Sequence, residues 1–144
     1  MTSEIIAIAS DHAAFDLKAL LKDDLVTHGY TPLDLGAHSR DSVDYPDVAN
    51  ALAAAIEAGK ASRGVLMCGS GIGVSIAANR HRGIRAALCH DVTTARLCRQ
   101  HNDANVLVLG GRLVGVDLAK ECLKTFLATP FEGGRHERRV AKLG

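Results

Sequence analysis

The 144-residue sequence contains no tryptophan, and aromatic residues make up only 3% of the chain. Its formal net charge is +1, because 17 lysines and arginines are offset by 16 aspartates and glutamates. Proteins that bind nucleic acid without sequence preference rely on an excess of basic residues and on aromatic rings that stack with bases. The composition therefore argues against nucleic acid as a partner.

Long apolar runs are also missing. The N-terminal segment MTSEIIAIAS carries an acidic residue and an apolar run too short for a signal peptide or a spanning helix, so no membrane partner is expected. The four cysteines, Cys68, Cys89, Cys98 and Cys122, form no CxxC motif and show no regular spacing. We expect reduced thiols in a cytoplasmic protein and no chelation of a metal by the four of them.

Short apolar runs alternate along the chain with longer segments of helical period, a pattern typical of a parallel β-sheet covered by helices. Strands are expected at residues 4–10, 31–36, 63–68, 84–89 and 105–110, and helices at about 13–28, from Pro46 to Gly59, from Gly73, at 92–101 and at 114–128. This pattern predicts a single α/β domain over residues 1–144, a Rossmann-like three-layer sandwich with a five-stranded parallel sheet. A short basic helix is expected at about 134–143.

In the first predicted helix, the spacing of the apolar residues places them in one stripe along the helix. Its members are Phe15, Leu17, Leu20, Leu21 and Leu25. We expect this stripe to face the sheet.

Ligands of such sheets bind outside the carboxyl ends of the strands, where loops lead into helix N-termini. The polar and glycine residues that follow the first, third and fifth strands should therefore converge. They are Asp11 and His12, then Cys68 to Gly73, then Gly110 to Arg112. His90 and Asp91 also follow a strand, but the residues after them favour a plain helix cap.

Cys68 lies at the end of an apolar strand and directly before the glycine-rich loop GSGIG. Backbone N–H groups and the dipole of the next helix favour a thiolate there, which can act as a nucleophile or a general base. The alternative is a small buried side chain, the usual role of a cysteine. We expect that structural role for Cys89, Cys98 and Cys122, whereas the glycine loop favours a functional role for Cys68.

The loop at residues 69–73 begins like a dinucleotide-binding fingerprint, but it follows the third strand rather than the first. Its glycines would let backbone N–H groups approach a small anion or an oxyanion. A tight turn that needs positive φ explains the same glycines equally well. The loop alone leaves both interpretations open.

Other polar residues have a structural and a functional interpretation. Asp11 fits a helix N-cap. His101, at a helix C-terminus, is favoured as a cation and can serve as an acid, whereas Asn102 is also a common turn former. Arg135 and Arg139, four residues apart, would match a phosphate together with Arg112, although a solvated basic chain end explains them too. The spacing of the histidines and acidic residues predicts no metal site.

The segments SDHAAFDLK, DYP, CGSGIGVSIAANR, GIRAALC, RQHNDANVLVLGGR and EGGRHERRV together resemble the family of ribose-5-phosphate isomerase B, which is shared with galactose-6-phosphate isomerase. The resemblance covers essentially the whole chain, in order. It implies interconversion of ribose 5-phosphate and ribulose 5-phosphate through a cis-enediol(ate), with no metal and no organic cofactor. It also implies a homodimer, or a dimer of dimers, whose active sites are shared between subunits.

The same resemblance implies a role for individual residues. Cys68 would be the base that moves a proton between C1 and C2, and His101 the acid that opens the sugar ring. The implied substrate-binding residues are Asp11, His12, Tyr45, Gly69, Ser70, Gly71, Ile72, Gly73, Asn102, Arg112, Arg135 and Arg139. A second branch of the family places a carboxylate base within the glycine loop, but Val74 is inert here, so the chain resembles the thiol branch.

Two alternatives remain. An isomerase of a six-carbon sugar phosphate, allose 6-phosphate or galactose 6-phosphate, would use the same chemistry, although the intact RQHNDAN segment and basic chain end favour the pentose. A non-catalytic module that binds phosphate or a nucleotide would explain the glycine loop and the arginines. It would leave Cys68 and His101 without a role.

Overall fold

The computed structural model describes residues 3–144, in which five strands alternate with helices. The strands are β1 (Ile5–Ser10), β2 (Thr31–Asp34), β3 (Arg63–Cys68), β4 (Ala86–Leu88) and β5 (Val106–Gly110). The helices are α1 (Phe15–Thr27), α2 (Tyr45–Glu57), α3 (Ile72–Ala78), α4 (Val92–Asn102), α5 (Val116–Ala128) and α6 (Arg135–Ala141), and a 3₁₀ turn (His12–Ala14) precedes α1. Over this part of the chain no helix is both long and apolar enough to cross a membrane.

All neighbouring strands of the sheet pair in parallel, in the order β2-β1-β3-β5-β4. The predicted α/β class with a five-stranded parallel sheet is therefore confirmed. The chain moves outward from β1 to β2 and then crosses to the other side of β1 to form β3. The switch between β1 and β3 opens a crevice at the carboxyl ends of these two strands, where sheets of this kind bind ligands.

Helices cover both faces of the sheet, which explains why its strands are continuously apolar rather than alternating. On one face, Ile8, Met67 and Leu109 pack with buried residues of α1, α4 and α5. On the other face, Ala9 and Leu66 pack with α2 and α3. The three layers predicted from the sequence are present.

The apolar stripe of α1 differs from the prediction at Leu20, and Phe15 is only partly buried. Leu17, Leu21 and Leu25 are buried as expected, but Leu20 is 40% exposed, so its assignment to the buried stripe was wrong. Lys18 is buried instead, with a side chain only 2% exposed. A cation is stable there because Asp34, at the end of β2, forms a salt bridge to Lys18 Nζ at 2.8 Å.

Candidate active site

Cys68 ends β3 at the carboxyl edge of the sheet and pairs with Gly110, the last residue of β5. Its side chain is buried, and Sγ accepts a hydrogen bond from the Gly71 N–H at 3.2 Å. Gly71 has a φ of +79°, in the left-handed region, and its N–H is directed onto the sulfur. The loop thus places a hydrogen-bond donor against the thiol, which stabilises negative charge on the sulfur.

The glycines of the loop also make room for close packing. A Cβ atom at Gly71 would lie 2.5 Å from Leu88 Cδ1, at the end of β4. A Cβ atom at Gly110 would lie 2.6 Å from the carbonyl oxygen of Ser70. The loop at 69–73 therefore lies directly on the ends of β4 and β5, and both positive φ and close approach require its glycines.

Two side chains border this loop. The Tyr45 ring lies against Gly73, where a Cβ would come within 2.5 Å of Tyr45 Cε1. The Arg112 guanidinium lies beside Gly69, with Nη1 3.4 Å from the position of a Cβ there. Both side chains are exposed, so an aromatic ring and a cation are available to a ligand above the loop.

Asp11 and His12 complete the group at this edge. The Asp11 carboxylate accepts the Ala13 N–H at 3.0 Å, which confirms the predicted N-cap. The Asp11 N–H donates to the carbonyl of Met67 at 3.2 Å and so ties the turn to the end of β3. His12 Nδ1 accepts the Val43 N–H at 3.1 Å, which assigns the proton of the neutral ring to Nε2 and leaves an N–H donor for a ligand.

His90 is a residue of this edge that the sequence interpretation assigned to a helix cap. Asp91 does cap α4, since its carboxylate accepts the Thr94 N–H at 2.6 Å. His90, however, lies beside the loop, with Nε2 3.2 Å from the position of a Cβ at Gly110. The sequence did contain a signal that could have identified His90 as a site residue. This histidine lies directly after a predicted strand, and the same criterion identified Asp11 and Cys68.

The other three cysteines are buried, as predicted. A hydrogen bond with Cys89, together with burial, raises the pKa of Cys98. Burial raises the pKa of Cys122 to about 11. The hydrogen bond with Cys98 lowers the pKa of Cys89. The raised pKa values of Cys98 and Cys122 agree with a structural role for these two thiols.

A second group of expected site residues lies on α4 and α6. His101 and Asn102 end α4, and the His136 ring of α6 stacks on the His101 ring with centroids 4.5 Å apart and planes 13° apart. Asn102 and Arg139, with both histidines, line a cavity of about 250 Å³. His136 was not predicted as a site residue.

Glu132 and the arginines set the electrostatics of this second group. Glu132 Oε1 lies 3.9 Å from His101 Nε2 and 3.7 Å from His136 Nε2. Burial lowers the pKa of His136, and the nearby His101, Arg135 and Arg139 lower it further, against an opposing effect of Glu132. These contacts favour the neutral form of the His136 ring.

The two groups lie at opposite edges of the sheet. A helix that follows a parallel strand runs back towards the amino edge, so the end of α4 cannot lie beside the end of β3. The carbonyl of Asn105, just after α4, indeed accepts the N–H of Gly64, near the start of β3. At about 3.3 Å per residue, Gly64 and Cys68 are roughly 13 Å apart.

We call Asp11, His12, Tyr45, residues 68–73 and Arg112 the carboxyl-edge group. We call His101, Asn102, Arg135 and Arg139 the amino-edge group. One chain brings together the members of the carboxyl-edge group at the switch of the sheet. It does not bring His101 to Cys68.

The model of the ribose/galactose isomerase family matches residues 6–143 of this chain. The chain belongs to that family. Among curated relatives of this ribose/galactose isomerase, ribose-5-phosphate isomerase B of Escherichia coli is 45% identical over 135 residues, covering 94% of this chain and 91% of the relative. D-erythrulose-4-phosphate isomerase of Pectobacterium atrosepticum is 46% identical over 140 residues, covering 96% and 92%.

Solved structures of the family agree with this fold. A ribose 5-phosphate isomerase from Thermotoga maritima is 56% identical, with a TM-score of 0.95 and 97% of both chains covered. The type B ribose 5-phosphate isomerase of Trypanosoma brucei is 44% identical, with a TM-score of 0.94, covering 98% of this chain and 97% of that chain. Similarity at this level over nearly the full chain confirms the predicted isomerase.

Proposed function

We propose that this isomerase interconverts ribose 5-phosphate and ribulose 5-phosphate, with Cys68 as the base. The observation that carries the proposal is the Cys68 sulfur held by the Gly71 N–H at 3.2 Å, at the switch of the sheet. Relatives named ribose 5-phosphate isomerase are up to 56% identical to this chain, and they support ribose 5-phosphate as the proposed substrate.

In this mechanism the Cys68 thiolate removes the C2 proton of the open-chain aldose. The electron pair of the C–H bond forms the C1–C2 double bond, and the carbonyl electrons move to O1 to give a cis-enediolate. The same sulfur returns the proton to C1, while O1 gains a proton and O2 loses one, which yields the ketose. Such a proton is weakly acidic, so catalysis needs both a positioned base and donors for the developing charge.

The carboxyl-edge group supplies these donors. His12 offers its Nε2–H, and Ser70 offers its hydroxyl within the loop that holds Cys68. Arg112 lies over Gly69 and can form two parallel hydrogen bonds to an anionic oxygen pair. In the amino-edge group, His101 would donate a proton to the ring oxygen and open the furanose, and Arg135 and Arg139 would bind phosphate.

A site with both Cys68 and His101 requires two chains, because one chain holds them at opposite edges. We therefore propose a homodimer in which each site combines the carboxyl-edge group of one protomer with the amino-edge group of its partner. A two-fold axis would generate two identical sites of this kind.

Helix α3 is the surface we propose for this contact. It starts beside Cys68, and Asn79 at its end exchanges two hydrogen bonds with Ala86 at the start of β4. Its outer face carries Ile72 and Ile76, which are 54% and 55% exposed and one turn apart. Two α3 helices packed antiparallel about a two-fold axis would bury this apolar face and bring Cys68 towards the partner subunit's His101.

The experiment that tests the proposal is turnover of ribose 5-phosphate to ribulose 5-phosphate in EDTA, with wild type and Cys68→Ser. We expect the variant to lose activity by about 10²–10⁴-fold, the usual cost of removing a general base. Cys98→Ser, a buried thiol outside both groups, is the matched control and should keep turnover. Near-native turnover by a folded Cys68→Ser protein would contradict the role of the thiol.

A sugar phosphate of another length is the second candidate substrate, because the D-erythrulose-4-phosphate isomerase is as similar to this chain as the E. coli relative is. Steady-state kinetics on D-erythrulose 4-phosphate, allose 6-phosphate and galactose 6-phosphate should give a lower kcat/KM than ribose 5-phosphate. A higher kcat/KM for any of these sugar phosphates would make it the proposed substrate in place of ribose 5-phosphate. The proposed proton-transfer mechanism would stay the same. No turnover of any, with thermal stabilisation by ATP, would favour a phosphate- or nucleotide-binding module.

A further inference from the structure

Three side chains with metal-binding atoms meet beside the end of α4. His101 comes from α4, His136 from α6, and Glu132 from the segment between α5 and α6. Their closest ligand atoms, one from each side chain, all lie within 4.8 Å of one another. Across residues 3–144 no other three histidine, cysteine or acidic side chains meet in this way.

The spacing is close to that of a zinc site. Zinc binds imidazole nitrogen and carboxylate oxygen at about 2.0–2.2 Å, so ligand atoms of a tetrahedral site lie about 3.3 Å apart. Glu132 Oε1 is already 3.9 Å and 3.7 Å from the two Nε2 atoms. The side chains of His101 and Glu132 are 39% and 51% exposed, so both can make the small rotation that brings three ligands onto one ion.

The local charges and the cavity are compatible with a cation of moderate affinity. Glu132 supplies one negative charge beside both imidazoles, which bind a metal in their neutral form. Arg135 and Arg139 repel a dication and weaken its binding. The adjoining cavity, of about 250 Å³, has room for a water molecule as the fourth ligand.

We propose that His101, Glu132 and His136 bind a divalent transition-metal ion such as Zn²⁺, and that the bound ion inhibits the isomerase. Two imidazoles and one carboxylate suit Zn²⁺, Ni²⁺ or Cu²⁺ and not Mg²⁺, which requires an oxygen-rich octahedral site. Inhibition rests on the proposed role of His101 in ring opening. A nitrogen whose lone pair is bound to a metal neither accepts nor donates a proton.

Titration of ZnCl₂ into the metal-free full chain, followed by calorimetry, tests the binding. We expect about one Zn²⁺ per chain, with affinity at least ~10-fold lower in Glu132→Gln and in His136→Asn, and no comparable binding of Mg²⁺. Glu132 is exposed, so Glu132→Gln keeps the test valid if the buried His136→Asn fails to fold. Equal Zn²⁺ affinity in wild type and Glu132→Gln would overturn the site.

Two controls separate this site from other metal binding. Glu57 forms a similar acid–histidine pair, with Oε1 3.2 Å from His81 Nδ1, but no third ligand joins them within the described chain. Glu57→Gln should therefore keep the wild-type affinity. Cobalt(II) bound at the proposed site should show a visible spectrum without a thiolate charge-transfer band, whereas a strong band of that kind would assign the metal to a cysteine instead.

Turnover of ribose 5-phosphate tests the inhibition separately from the binding. Zn²⁺ should inhibit the wild type, EDTA should reverse the effect, and Glu132→Gln should need at least ~10-fold more Zn²⁺ for half-inhibition. Full turnover with the site saturated would overturn the inhibition. A metal-free wild type without turnover would instead contradict the proposed function, while the calorimetric result would still decide on the metal site.

Discussion

Lys18 shows how a single buried charge supports the site. Its Nζ donates to Asp34 Oδ1 at 2.8 Å and to the carbonyl oxygen of Ala37, and it lies 5.4 Å from the centroid of the Phe15 ring. Ala37 belongs to the segment that leads from β2 to Val43, the hydrogen-bond partner of His12. The lysine therefore fixes α1 to the segment that orients His12.

We expect Lys18→Met to lower the free energy of unfolding by about 2–3 kcal/mol, because the Ala37 carbonyl and the Asp34 carboxylate lose a buried partner. Lys22 is the matched control. It bonds the other Asp34 oxygen at 2.8 Å, but its side chain is 36% exposed, so Lys22→Met should cost less than ~1 kcal/mol. Urea denaturation of both variants measures the difference, and equal losses would contradict the account.

The contribution of Lys18 to the free energy of unfolding should depend on pH, because its partner Asp34 titrates. Burial alone would raise the pKa of Asp34, but hydrogen bonds from Lys18, Lys22 and the Gly36 N–H together hold it below the ordinary value. A carboxyl group whose pKa is lower in the folded state than in the unfolded state stabilises the fold fully at pH values above its unfolded-state pKa. This stabilisation is lost as the pH falls through the folded-state pKa. The difference between wild type and Lys18→Met should therefore shrink below about pH 4.

The Cys68 loop between β3 and α3 depends on one glycine more than on the others. Gly71→Ala would combine strain from a φ of +79° with a Cβ 2.5 Å from Leu88 Cδ1 and 3.1 Å from the Leu109 backbone. We expect the loop to shift, the Gly71 N–H to leave the sulfur, and turnover to fall together with the melting temperature.

Gly59→Ala isolates the backbone strain. Gly59 has a φ of +78° but open space around it, so its substitution should cost about 1 kcal/mol and leave turnover unchanged. Thermal unfolding and ribose 5-phosphate turnover of both variants measure the two effects. A Gly71→Ala protein with the stability and activity of Gly59→Ala would show that close packing of the loop does not matter.

Most elements were predictable because their periodicity follows directly from burial on one or two faces. The strand at 63–68 agrees with the structure in both bounds. The predicted strand at 84–89 pairs only at Ala86–Leu88, because the Ile84 N–H still donates to His81 within a turn. The predicted helix at 13–28 begins as a 3₁₀ turn, where the Asp11 carboxylate caps Ala13. Apolar character fixes where an element lies, but hydrogen bonds fix where it ends.

The position of residues that follow the strands was predictable from the sequence, whereas the arrangement of the remaining predicted site residues across the sheet was not. Residues directly after a strand were assigned to one edge, which located Asp11, Cys68 and Arg112 correctly. His101 ends a helix and therefore lies at the other edge, a consequence of topology that a search for polar motifs does not consider. The stacking of His136 on His101 depends on the path of the segment between α5 and α6, which no periodicity constrains.

Assembly of two chains should depend on the exposed face of α3. We expect Ile76→Asp to give a folded monomer with little turnover, because it places a charge in the proposed apolar contact. Val26→Asp is the control, since Val26 is 61% exposed on α1. Sedimentation equilibrium and circular dichroism measure association and folding, and a dimeric Ile76→Asp protein would rule out α3 as the contact.

The most direct test of the central claim is complementation between two inactive variants, Cys68→Ser and His101→Asn. If each site combines Cys68 of one chain with the partner subunit's His101, a mixed dimer contains one intact site and one doubly defective site. Equal amounts unfolded and refolded together should recover about one quarter of the wild-type turnover per subunit. Turnover no higher than that of the separate variants would mean that the two chains do not share their active sites.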